Sequence, residues 1–215
     1  MKKYFAEFAG TFLLVFLGVW SIEYSNQNLA DNFQASLCLI TIIFGIAVTS
    51  AIILFGEISG AHINPAVSIA FFLNKSLNGV ELLFYIIFQC LGAILGAYFF
   101  NLIYPSEYVG TTLPNLNTTL AFSFEMVLSF ILMMVIFWIA NPNNKHTKLA
   151  PYVIGLQVAI HTYIVGLATS VSMNPARSIG PAMVSGHWEH YWIYLIAPIV
   201  GMVLSFFVWK NFKKI

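Results

Sequence analysis

The chain has 215 residues, of which 60% are hydrophobic and 8% are charged, and its formal net charge is +1. Soluble domains carry about 25% charged residues, so this composition excludes a water-soluble fold and specifies an integral membrane protein. The near-zero charge and the lack of a basic patch exclude nucleic acid as a partner.

Lys2 and Lys3 open the chain, and an apolar run follows over 4–22. It imitates a secretory leader, but it holds Glu7 and has no small-residue cleavage site, so it is predicted as the first membrane span. Five more runs, at 33–55, 81–104, 119–140, 149–168 and 191–209, are long enough to cross a hydrocarbon core of about 30 Å. Polar turns are predicted at 25–32, 105–117 and 141–148. Cys38 and Cys90 lie in apolar runs and read as buried thiols, not a disulfide. Gly92 and Gly96, followed by Ala93 and Ala97, permit close helix packing within the subunit.

If the six spans alternate, Lys2, Lys3, Lys75, Lys145, Lys148, Lys210, Lys213 and Lys214 share one side. The opposite loops hold Glu23, Asp31, Glu107 and Glu189. The positive-inside rule then makes both termini cytoplasmic, and the short termini suggest a microbial plasma (inner) membrane.

Between the spans one triplet occurs twice, as Asn64-Pro65-Ala66 and Asn174-Pro175-Ala176, 110 positions apart. Asn is a good N-cap and Pro is favoured at the first helical position. Each triplet therefore starts a helix. The first extends to about Asn74, roughly 15 Å at 1.5 Å per residue, or half a membrane. A lone triplet would be an ordinary turn. Two copies between spans, with Gly45 and Gly155 and then Glu7 and Glu125 also paired, indicate an internal repeat over about 1–104 and 118–215 within a single transmembrane domain, 1–215. An odd number of spans per half makes the repeat inverted, so two half-helices meet N-terminus to N-terminus at mid-membrane.

Each Asn oxygen can cap its own half-helix, leaving the amide NH₂ to face a lumen. The helix ends add a field of about half an elementary charge each. Water entering there turns its oxygen to the amides, which disfavours proton hopping. A cation meets that field and an idealised stripping cost of order 20 kcal/mol. Arg177, one turn after Asn174, is costly at membrane depth and reads as a functional residue facing water.

Ser59-Gly60-Ala61-His62-Ile63-Asn64-Pro65-Ala66-Val67, Met173-Asn174-Pro175-Ala176-Arg177-Ser178 and Ala6-Glu7-Phe8-Ala9-Gly10-Thr11-Phe12 resemble signatures of the aquaporin (major intrinsic protein) family. The resemblance covers nearly the whole chain. It implies an all-α membrane fold: a right-handed bundle of six transmembrane helices with two re-entrant half-helices, one pore per subunit, and a homotetramer in membrane lipid. It also implies a passive channel for water that excludes protons and ions, with no cofactor, no metal and no enzymatic activity. Asn64, Pro65, Ala66, Asn174, Pro175 and Ala176 would form the central constriction. Exposed carbonyls of 59–63 and 169–173 would supply acceptors along the lumen.

By the same resemblance Arg177, Phe44, Val171 and Thr162 form the outer selectivity filter. Water-selective members usually carry His at the fifth-span position. Here His161 stands one residue before Thr162, so His161 is the alternative to Thr162. A ring with Thr162 is wider and admits ammonia, peroxide or small polyols. Ser178, Ala182 and Tyr194 resemble water channels, and Leu195 resembles the glycerol branch. Glu7 and Glu125 are expected to be buried acceptors holding the re-entrant loops, with His62 as a loop brace. The competing readings are a facilitator of glycerol or another small neutral solute, a non-conducting structural membrane protein, and an intramembrane enzyme using Glu7, Glu125 or His161.

Overall fold

A computed structural model describes residues 1–212, with backbone alone for 167 and 168; Lys213 and Lys214 lie outside the described residues. The helices are α1 (Lys2–Asn28), α2 (Phe33–Ser59), α3 (Pro65–Leu73), α4 (Gly79–Ile103), α5 (Thr118–Ile139), α6 (Ala150–Thr169), α7 (Pro175–Ser185) and α8 (Tyr191–Phe212), with a 3₁₀ turn at Thr147–Leu149 before α6. Six of these are long and apolar enough to cross a membrane. The two short ones, α3 and α7, begin at the paired triplets. The fold is the expected one, six transmembrane helices plus two re-entrant half-helices.

Two boundaries differ from expectation. α1 continues to Asn28, through much of the predicted polar turn, because its polar residues find partners inside the protein. Glu23 and Ser25 are buried. Glu23 is therefore no loop acid in water. α2 continues to Ser59 and stops at Gly60, whose φ of 88° supplies the left-handed cap.

Helices in lipid gain little from apolar burial against one another, so small residues that admit close backbone approach decide the packing. A Cβ on Gly92 of α4 would lie 2.2 Å from the Phe8 carbonyl oxygen of α1, and one on Gly96 2.8 Å from that of Phe12. α8 meets α5 in the same manner: a Cβ on Gly201 would lie 2.1 Å from the Met126 oxygen. α2 and α6 cross at Gly45 and Gly155, and α7 rests on α4 through Gly180, whose Cβ would fall 2.4 Å from the Ala93 oxygen. These contacts bring the backbones together and leave the long apolar side chains outside. Ile42, Leu54, Leu102, Ile103 and Ile164 are all exposed, as a lipid-facing surface requires. Cys38 and Cys90 are free and only half-buried.

Candidate functional site

The N-termini of α3 and α7 face each other inside the bundle. Asn64 is extended, with φ −158° and ψ 119°, and its Oδ1 accepts from the Ala66 N–H at 2.9 Å. Asn174, with φ −150° and ψ 107°, accepts from the N–H groups of Ala176 at 3.0 Å and Arg177 at 3.4 Å. Pro65 and Pro175 follow at the first helical positions, where no N–H is needed.

The amide nitrogens reach across. Asn64 Nδ2 donates to the Met173 carbonyl and Asn174 Nδ2 donates to the Ile63 carbonyl, both at 2.8 Å. An amide NH₂ carries two hydrogens, so each asparagine fixes itself to the opposite loop and keeps one hydrogen for whatever occupies the cavity.

These carbonyls point correctly because Ile63 and Met173 are left-handed, with φ of 44° and 51°. That conformation costs a non-glycine residue about 1–2 kcal/mol. Two buried carboxylates hold it. Glu7 accepts from the N–H groups of His62 at 2.9 Å and Ile63 at 2.6 Å, from Ser59 Oγ at 2.6 Å and from Gln89 Nε2 at 2.7 Å. Glu125 accepts from the N–H groups of Ser172 at 2.9 Å and Met173 at 2.8 Å, and from Thr169 Oγ1 at 3.3 Å. His62 stacks on Phe71 at 4.5 Å, and its Nδ1 lies 3.1 Å from Ser68 Oγ.

Two further braces escaped the sequence reading. Tyr85 donates to the Ser59 carbonyl at 2.7 Å and Tyr194 to the Thr169 carbonyl at 2.6 Å. The two tyrosines are separated by almost the same offset as the two asparagines, and that spacing was the available signal.

A cavity of about 620 Å³ runs past this centre. Phe44 and Arg177 stand at one end, Asn64 and Asn174 lie along it, and Thr147, Lys148 and Glu57 line the other mouth. Most of the wall is apolar, with Leu14, Val48, Val67 and Ile136 among its residues. Arg177 is only 3% exposed. Its Nη1 donates to the Gly110 carbonyl at 2.9 Å, and its guanidinium carbon sits 5.3 Å from the centroid of the Phe44 ring. The ring fits because Gly18 faces it: a Cβ there would lie 2.6 Å from Phe44 Cζ.

The other expected filter residues are Val171 and Thr162, with His161 as the alternative to Thr162. Val171, Thr162 and His161 are buried and do not line this cavity. The Thr162 hydroxyl donates to the Val158 carbonyl of its own helix at 2.9 Å. His161 Nδ1 lies 3.1 Å from the Met173 sulfur, so the ring contacts a residue of the wall. Among the described residues no group of His, Cys, Asp and Glu could hold a metal ion.

Six membrane-crossing helices around two short helices that meet N-terminus to N-terminus define an integral membrane protein with a polar centre in an apolar cavity. The model of the family described as Major intrinsic protein matches residues 1–209. Aquaporin-4 of Mus musculus is 38% identical over 214 residues, an alignment covering 95% of this chain and 65% of that protein. Glycerol uptake facilitator protein-like 6 of Lactiplantibacillus plantarum is 34% identical over 215 residues, with 96% of each chain covered. Among solved structures, the X-ray structure of the aquaglyceroporin from Plasmodium falciparum superposes with a TM-score of 0.89 at 25% identity, covering 98% of this chain and 95% of that one. This chain belongs to the major intrinsic protein family. It spans 65% of the length of the mouse aquaporin-4 that it resembles.

Proposed function

We propose that the protein is a passive channel that passes water along an osmotic gradient and excludes protons and ions, without enzymatic activity. The observation that carries this reading is the pair of asparagine amides, each tied to the opposite loop and each with one hydrogen left for the cavity. Two helix N-termini converge there, each worth about half a positive charge. A water molecule at the centre accepts from both amides and turns its hydrogens outward. The file of waters on either side is thereby oriented in opposite senses, and a proton cannot pass through. A cation would have to shed water against a positive field in a largely apolar wall.

In this reading Arg177 and Phe44 form the outer filter where they line the cavity, and Val171 and Thr162 (or His161) complete it outside that lining. Glu7, Glu125 and His62 hold the loops that present the asparagines. The halves, about 1–104 and 118–215, are an inverted repeat in one domain; the similar use of Glu7 and Glu125, of Tyr85 and Tyr194, and of Gly92 and Gly201 supports it. Both termini lie in the cytoplasm, the host membrane is the plasma (inner) membrane, and four copies assemble in the lipid.

A second reading is a facilitator of glycerol or another small neutral solute such as ammonia or peroxide. The mostly apolar cavity favours it, as does the likeness to a glycerol uptake facilitator-like protein and an aquaglyceroporin. Stopped-flow light scattering on proteoliposomes separates the two. Shrinkage in impermeant sucrose faster than protein-free vesicles establishes water conduction. Rapid re-swelling in glycerol establishes the second reading. Lipid-background permeability to both would refute water and glycerol conduction.

A further inference from the structure

We infer that Glu23 is a positioning residue for the size cut-off of the pore, acting on Arg177 through the segment between α4 and α5. The inference rests on the reading of Arg177 as the filter cation. Glu23 sits in the last part of α1, 5% exposed, far along the chain from the groups it holds. Its Oε1 accepts from the Gly110 N–H and its Oε2 from Ser106 Oγ, both at 2.7 Å. The other face of the same residue serves Arg177, since the Gly110 carbonyl accepts from Nη1 at 2.9 Å. One residue thus links a buried carboxylate to a buried guanidinium.

That link is the guanidinium's single hydrogen bond to the protein among the described residues. Arg177 Nε is buried with no hydrogen-bond partner; the Phe44 ring packs on the guanidinium, and Tyr194 and Glu125 act on it only through charge. The position of the Gly110 carbonyl therefore fixes how far Arg177 projects into the cavity. This carbonyl stands in a turn closed by the Thr111 N–H, which donates to the Tyr108 carbonyl at 2.9 Å across two residues of unfavourable conformation. Val109 and Gly110 are both left-handed, with φ of 50° and 65°. Val109 is β-branched and fully buried, and a β-branched residue is a poor occupant of that region. Further groups brace it: Ser106 Oγ accepts from the Val109 N–H at 3.3 Å, Thr111 Oγ1 pairs with Ser185 Oγ at 2.9 Å, and Glu23 holds both Ser106 and Gly110 from α1. Without the carboxylate the turn keeps its closing bond but loses its tie to α1, so the Gly110 carbonyl shifts and the guanidinium's tether shifts with it.

The test compares wild type, Glu23→Ala, Glu23→Gln, Arg177→Val and the double variant Glu23→Ala/Arg177→Val in proteoliposomes. The readout is the ratio of urea or glycerol permeability to water permeability, with thermal melting in detergent as the folding control. Glu23→Ala should raise the ratio several-fold, toward that of Arg177→Val, and the double variant should match Arg177→Val alone. Glu23→Gln should stay near wild type, because a carboxamide oxygen accepts the Gly110 N–H while its NH₂ donates to Ser106 Oγ. A wild-type ratio in Glu23→Ala, with Arg177→Val raised, overturns the inference. So does an additive double variant, or an equal effect of Gln and Ala. A wild-type ratio in Arg177→Val sinks the filter reading itself, a different signature. Should Glu23→Ala not fold, Ser106→Ala removes one tie. It should raise the ratio by a smaller factor, and a wild-type value there overturns the inference equally.

Discussion

Replacing Glu7 tests whether a carboxylate, and not packing alone, holds the first re-entrant loop. Glu7 Oε1 accepts from Ser59 Oγ and the His62 N–H, and Oε2 accepts from the Ile63 N–H and Gln89 Nε2. In Glu7→Gln one of the two atoms becomes a donor. With the NH₂ in place of Oε2, Gln89 can turn its own amide, because its Oε1 has no partner, but the Ile63 N–H faces a donor. With the NH₂ in place of Oε1, the His62 N–H does. Either rotamer orphans one buried backbone N–H, at a cost of about 1–3 kcal/mol. For a domain of this size each kcal/mol moves Tm by about 2–4 °C, so the melting temperature should fall by roughly 2–12 °C. Glu7→Ala orphans both N–H groups, about 2–6 kcal/mol, and should melt lower still. Because Ile63 carries the carbonyl that Asn174 uses, water permeability should fall in the same order. Melting by intrinsic fluorescence in detergent and stopped-flow scattering on vesicles measure the two effects. If Gln and Ala melt together with wild type, the carboxylate holds nothing and the account of the loop is wrong.

Three other substitutions follow from close contacts. Gly18→Ala places a Cβ 2.6 Å from Phe44 Cζ. The ring must move away from α1, and displacement into the cavity that it lines should lower water permeability; unchanged flux would remove Phe44 from the constriction. Gly201→Ala drives a methyl to 2.1 Å from the Met126 carbonyl, parting α5 from α8. It should cost about 1–3 kcal/mol or more in thermal melting. Gly79→Ala meets nothing within 4 Å at the first position of α4, and should be neutral or stabilise by about 0.4–1 kcal/mol. A Gly201→Ala variant as stable as Gly79→Ala would contradict the packing.

The features legible in the sequence are those that depend on local chemistry. Asn followed by Pro starts a helix wherever it stands, so the short helices at Asn64 and Asn174 were legible, as were six long apolar runs. Gly92 and Gly96 announced a close contact, though not that its partner would be α1. Glu23 was illegible. A carboxylate near the end of a span looks like an acid in solvent, and its partners stand 83 and 87 positions downstream. The choice between His161 and Thr162 depends on how α6 is rotated against the irregular segment leading to Asn174. Ser170 caps α6 and enters that segment with a left-handed φ of 57°, a turn that side-chain identity does not announce. In the resulting register the imidazole reaches Met173 and the threonine hydroxyl folds back on its own helix.

The crossed amide bonds bear on how the molecule is made. Asn64 finds its acceptor on a residue 109 positions later in the chain. During synthesis the first short helix must therefore wait, with its tip unfinished, until most of the second half has left the ribosome and entered the bilayer. Neither half expressed alone can close this centre. Two fragments cut between α4 and α5 should acquire it only when both are present in one membrane.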